Sequence, residues 1–218
     1  KVPRLAFLNK MDRMGANPFK GRDALIEKLG HNAVLMQIPI GAEDEFCGVV
    51  DLVTKQAFYF DGDNGENVRV EDCPADLVDQ MEEYRAEMID KVAEYDDEIM
   101  EKYLEGEEPS EEELHRCVKV GVNSLQLTPV YMGSAFKNRG VQTLLNAITR
   151  YLPSPLECQK PTAVSEDGEK VELEPNKEKD LVCMAFKITD EQFGQLTYTR
   201  IYQGTLNKGD TLYNTRTK

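Results

Sequence analysis

No apolar run long enough to cross a bilayer, which needs about 18 residues, occurs in the 218-residue chain. The opening residues KVPRLAFLNK include neither an initiator Met nor the apolar core of a secretory signal. They read as the interior of a longer, cytoplasmic protein with no membrane role. The five cysteines, Cys47, Cys73, Cys117, Cys158 and Cys183, are odd in number and lack any Cys-x-x-Cys spacing. That argues against a disulfide framework or a zinc site and for reduced thiols. The two histidines, His31 and His115, have no second His or Cys at ligand spacing and read as structural. Also missing is any Gly-x-x-x-x-Gly-Lys-Ser/Thr, so the chain has no loop of that kind to cradle phosphates and no paired lysine and hydroxyl to hold phosphate and magnesium.

Positive charge is scarce in one place only. The net charge is -14, yet residues 71 to 113 hold 19 of the 40 acidic residues and 3 of the 26 basic ones. The rest of the chain is close to neutral. Such a segment repels nucleic acid locally and favours a basic protein partner, unless it is simply a solvated helix face.

What is present begins with a short apolar run, Val2 to Leu8, suited to a strand buried on both faces. Asn17 and Pro18 have the form of an N-cap and first helical residue, and Gly30 a helix stop. Ala33 to Ile40 is the next apolar run, so strand, helix and strand make a βαβ unit and imply a doubly wound parallel sheet. From Phe46 the pattern becomes short β-like runs, at 47–53, 58–60 and 68–70, around a turn in DGDNGEN. Pro74 opens one long amphipathic helix, with apolar positions from Leu77 to Tyr103 stepping by three or four until Gly106. Ser110 and Glu113 form a capping box for another. TPVYMGSAFKNRGVQTLLNAITRYL then repeats the opening order: a strand, a polar loop, and a helix carrying Val141, Leu144, Leu145, Ile148 and Leu152. Pro153, Pro155 and Pro161 mark a linker, and from Leu181 short strands begin an all-β unit.

In a doubly wound sheet ligands bind beyond the carboxyl ends of the strands, which is where Asn9-Lys10-Met11-Asp12 and Gly133 to Asn138 fall. A carboxylate such as Asp12 has two acceptor oxygens in one plane and captures two adjacent donors; guanine offers them at N1–H and its 2-amino group. Adenine would set an acceptor against it. Asn9 can touch the ring edge or hold the loop, and Lys10 can lie over the purine face. Ser134 and Ala135, being small, would let backbone N–H groups approach the carbonyl oxygen of the base.

NKMD, RMGAN and GSAFKNRGVQTLL together resemble the fourth and fifth guanine-recognition motifs of the translational GTPases, most closely the elongation factor G family. The resemblance covers essentially the whole chain. It implies the C-terminal part of a P-loop-GTPase-type α/β sheet, residues 1–45 and 126–155, with an acidic α+β subdomain inserted at 46–125. CMAFKITDEQFGQLTYTRIYQGTLNKGD is similar to the start of the family's β-barrel second domain, so 156–218 would be a linker and the first strands of a truncated barrel. By the same resemblance Asn9, Lys10, Asp12, Ser134 and Ala135 bind the guanine of GTP or GDP, with Phe136 and Lys137 alongside. Catalytic and magnesium-binding residues would lie outside this chain, which should then not hydrolyse GTP by itself and should bind nucleotide weakly. The family couples GTP hydrolysis to movement of tRNA and mRNA through the ribosome, and its insertion resembles a docking surface for a ribosomal stalk protein; the protein is expected to be a monomer. A ribosome-protection or release-factor-type translational GTPase and a non-catalytic acidic interaction module are the competing readings.

Overall fold

The computed structural model describes residues 2–165, 167–192 and 194–217. Two compact units make it up, divided between Leu152 and Pro153. In the first, β1 (Ala6–Leu8), α1 (Pro18–Leu29), β2 (Ala33–Leu35), β3 (Gln37–Ile40), β4 (Gly48–Asp51), β5 (Gln56–Asp61), β6 (Asn67–Asp72), α2 (Val78–Ala93), α3 (Asp97–Leu104), α4 (Glu111–Asn123), β7 (Thr128–Met132) and α5 (Val141–Tyr151) follow in order.

The α/β expectation holds, with a parallel sheet of order β1-β7-β2. The strands that bracket α1 are therefore not neighbours. β7, more than ninety residues further along, lies between them, pairing Ala6 with Val130 on one side and Leu35 with Val130 on the other. β7 is buried at every residue, as a central strand covered on both faces must be. α1 forms where its caps dictate: the Asn17 side chain accepts from the Lys20 N–H at 2.9 Å, and Gly30 ends it in the left-handed conformation at φ 64°.

Three elements depart from the sequence reading. The run from Ala33 to Ile40 is two strands, because the chain changes sheets at Met36: its N–H bonds to Val130 of the parallel sheet, while its carbonyl accepts from Leu52. β3 then begins an antiparallel meander of order β3-β4-β5-β6. The long acidic helix starts at Val78 rather than Pro74 and breaks at Tyr95–Asp96, where the Asp96 carboxylate caps the Ile99 N–H and starts α3 afresh. α5 keeps only part of its expected face inward, with Leu144 and Leu152 packed against the core. It buries Thr143, Ala147 and Tyr151 and leaves Leu145 and Ile148 exposed.

The capping box at the start of α4 is present in both directions, with Ser110 and Glu113 each accepting from the other's backbone N–H. Arg85 of α2 is buried, its side chain 4% exposed. It donates to the carbonyls of Leu52 and Val53, the latter at 2.9 Å, and to the Glu108 carboxylate at 2.9 Å, tying α2 to the turn after β4. Burying a guanidinium is tolerable only because its donors are matched in this way.

The second unit is all β among its described residues: hairpins β8 (Thr162–Val164) with β9 (Lys170–Glu172), and β10 (Val182–Glu191) with β11 (Gly194–Gln203). All five cysteines are free. No helix among the described residues is long and apolar enough to cross a membrane.

Candidate functional site: a rim of two loops

β1 and β7 run parallel and adjacent, so the loops that leave their carboxyl ends start side by side. Two backbone bonds hold them together: Gly133 N–H to the Leu8 carbonyl and Met11 N–H to the Gly133 carbonyl, both at 3.0 Å. Gly133 is required by this closeness. A Cβ there would lie 2.2 Å from the Arg139 carbonyl oxygen and 2.9 Å from the Phe7 ring.

The side chains then converge. Asn9 accepts the Ala135 N–H at 3.0 Å and the Lys10 N–H at 2.8 Å through one carboxamide oxygen. Lys10 is held in the left-handed region at φ 65°, an uncommon conformation for a residue with a side chain, and is exposed. Asp12 is mostly covered, its side chain 10% exposed, with Lys137 Nζ 3.5 Å from its carboxylate. A hydrogen bond from the Ser134 hydroxyl, then its own backbone N–H and the Lys137 charge, hold its carboxyl below the usual carboxylate range against the opposing effect of burial. Asp12 is thus an anion at neutral pH. Phe136 stands 96% exposed at the loop tip.

One detail differs from the sequence reading. The Ser134 N–H donates to the Arg139 carbonyl at 2.9 Å, and the Ala135 N–H is taken by Asn9. Ser134 therefore contributes its hydroxyl to Asp12 rather than a free backbone N–H, and Asn9 acts as the loop holder of the two roles open to it. Gly133, Gly140, Arg139 and Gln142 also shape the rim, and no local pattern in the sequence marks them for it. Gly140 is at φ 82° with the Met132 carbonyl 2.4 Å from where a Cβ would be; the Arg139 guanidinium donates to the Phe46 carbonyl at 2.5 Å. The glycines were visible as punctuation in GSAFKNRG, but nothing local showed what they approach.

His31 and His115 are packing residues, the first 3.3 Å from the Thr128 hydroxyl and the second 2.7 Å from that of Tyr151. Among the described residues no group of three or more His, Cys, Asp or Glu could hold a metal ion.

The elongation factor Tu GTP binding domain matches residues 1–154. Elongation factor G 2 of Bdellovibrio bacteriovorus is 51% identical over 214 residues, covering 98% of this chain and 30% of that protein. Elongation factor G of Rhodopirellula baltica is 52% identical over 219 residues, covering 100% of this chain and 31% of that protein. A crystal structure of a Thermus thermophilus protein matches with a TM-score of 0.70 at 25% identity, covering 95% of this chain and 28% of that one. The chain thus spans slightly under a third of the length of the curated relatives it matches. It belongs to the elongation factor Tu GTP-binding domain family and, within that family, is a stretch of an elongation factor G.

Proposed function

We propose that these residues form the guanine-recognition half of the nucleotide site of a translational GTPase. The observation that supports this most directly is the meeting of Asn9, Asp12, Ser134, Ala135 and Lys137 on one rim, with Asp12 ionised. Asp12 accepts N1–H and the 2-amino group; the loop of Ser134 to Lys137 faces the neighbouring 6-oxo group; Lys10 covers one face of the ring and Phe136 flanks the mouth. A site built on such partners rejects adenine because the adenine edge sets an acceptor against the carboxylate.

In the intact factor, GTP bound here would be hydrolysed to drive movement of tRNA and mRNA on the ribosome in the cytoplasm. Phosphate and magnesium are held by parts outside this chain. On this reading residues 1–45 and 126–155 belong to the nucleotide domain and 46–125 to its insertion, and residues 156–218 open the β-barrel domain. The acidic face of α2 to α4 is the surface offered to a ribosomal stalk protein, and the factor works as a monomer.

The test is a competition titration on the full-length factor. GDP should displace a fluorescent guanine nucleotide at least a hundredfold better than ADP, a lower bound for a hydrogen-bonding site, which rejects an unmatched ligand by up to about 10⁴–10⁵. Equal displacement by the two would end the proposal. The 218-residue chain alone is expected to show no GTP hydrolysis.

A further inference from the structure

The turn DGDNGEN between β5 and β6 lies in the insertion, yet its tip rests on the loop that would read the base. Gly65, at φ +59°, comes so close that a Cβ would stand 2.7 Å from both the Lys137 and the Asn138 carbonyl oxygens. Gln142, in the first turn of α5, bridges the two: its side-chain N–H₂ donates to the Gly65 carbonyl at 3.0 Å and to the Asn138 carbonyl at 3.1 Å. Two carbonyls on one amide nitrogen fix the orientation of that side chain. The turn keeps its own shape, since the Glu66 carboxylate accepts from the Asn64 N–H at 2.9 Å. Arg139 adds a second link, donating to the Phe46 carbonyl in the β3–β4 connection, at the same end of the meander as the turn.

From the side of β1, Asn9 holds the loop at Ala135, and Asp12 holds it at the Ser134 and Lys137 side chains. The loop's far half, Lys137 to Asn138, with Asn138 in the left-handed region at φ 52°, rests on the insertion. We propose that the β5–β6 turn, through Gly65 and Gln142, positions this loop for the 6-position of the purine, so that the acidic insertion and the base site are mechanically one piece. Gly65 and Gln142 are positioning residues; neither touches the base. The proposal rests on the reading of the rim as a guanine site and adds to it a division of labour. Asp12, on the other loop, reads N1–H and the 2-amino group, and the propped loop reads the 6-oxo group through the Ala135 N–H, which the base would share with Asn9.

That division sets the experiment. In the full-length factor, dissociation constants are measured for GDP, for inosine diphosphate, which lacks the 2-amino group, and for 6-thio-GDP, whose sulfur is a poorer acceptor at the 6-position. Gly65→Val and the nearly isosteric Gln142→Glu are compared with the wild type, and thermal melts monitor folding. The expected result is a loss of about five- to tenfold in the preference for GDP over 6-thio-GDP, the scale of one hydrogen bond, while the preference for GDP over inosine diphosphate stays within about twofold. Gln142→Glu carries the test alone if Gly65→Val does not fold. A uniform weakening of all three ligands, or no change in either preference, overturns the proposal. A wild-type factor that fails to prefer GDP over ADP overturns instead the reading of the site, a result separable from the other two.

Discussion

The carboxamide oxygen of Asn9 accepts the backbone N–H of Ala135 at 3.0 Å, joining loops 126 residues apart in the chain. The same oxygen accepts the Lys10 N–H, so one side chain fixes both loops at once. The β1–β7 pairing brings the loops together, and Asn9 sets their relative position.

Asn9→Ala leaves both N–H groups without that acceptor. The expected cost is about 1–2 kcal/mol of stability, with guanine nucleotide affinity in the full-length factor falling about tenfold. Urea denaturation and nucleotide titration measure the two. An unchanged midpoint and affinity would show that the bond is dispensable.

Asp12→Asn replaces an ionised acceptor pair by one acceptor and one donor. Hydrogen bonds to a charged group contribute about 1.5–3 kcal/mol, so GDP should bind roughly ten- to a hundredfold more weakly. Xanthosine diphosphate, with N1–H beside a 2-oxo group, matches the new pair and should gain. Direct titration of the variant with both nucleotides decides the point, and failure of xanthine to gain would contradict the assigned role of the carboxylate.

Arg85→Ala strands the Leu52 and Val53 carbonyls and releases Glu108, which otherwise pairs with Lys55 at 2.8 Å. The two buried carbonyls left without a donor should destabilise the insertion by about 1–3 kcal/mol each, Glu108 being half-exposed and still paired with Lys55. Arg85→Lys should not restore it, since an ammonium cannot reach three acceptors in the fixed fork geometry of a guanidinium. Hydrogen exchange of the α2 amides would register the loss, and protection as in the wild type would refute it.

His115 contributes a defined part of the pH dependence. Burial first, then the Arg150 charge, depress its pKa from the ordinary 6.5 to about 4. Between those values the unfolded chain binds a proton that the folded chain refuses, so this residue lowers stability as pH falls from 6.5 towards 4 and contributes nothing to the slope above 6.5. Burial raises the Asp51 carboxyl, whose effect runs the opposite way, so the comparison is between the wild type and His115→Gln rather than in absolute terms. The variant should lose less stability over that window in chemical denaturation at stepped pH. Parallel curves would show that His115 is charged in the folded protein.

Where the signal lay within a few residues, it could be read directly. Asn17-Pro18, Gly30, and Ser110 with Glu113 cap helices through bonds spanning three or four positions, and each acts where its spelling places it. That Asn9, Asp12, Ser134 and Ala135 would meet at one rim was legible from their places after two strands, whereas the partners that take the Ser134 and Ala135 N–H groups were not.

Other features depended on partners distant in the chain. The change of sheet at Met36, the restart of the helix at Asp96, the face that α5 turns inward and the prop beneath Lys137 and Asn138 each depend on which distant backbone group fills a space. An apolar run looks the same whichever sheet receives it, and a glycine looks the same whether it turns in solvent or lies against another loop. Composition and local spelling therefore determined the elements, their caps and the chemistry available at the rim. Packing decided which strands meet and which N–H groups are already taken, because those choices are settled by the close fit of surfaces that the chain brings together only when folded.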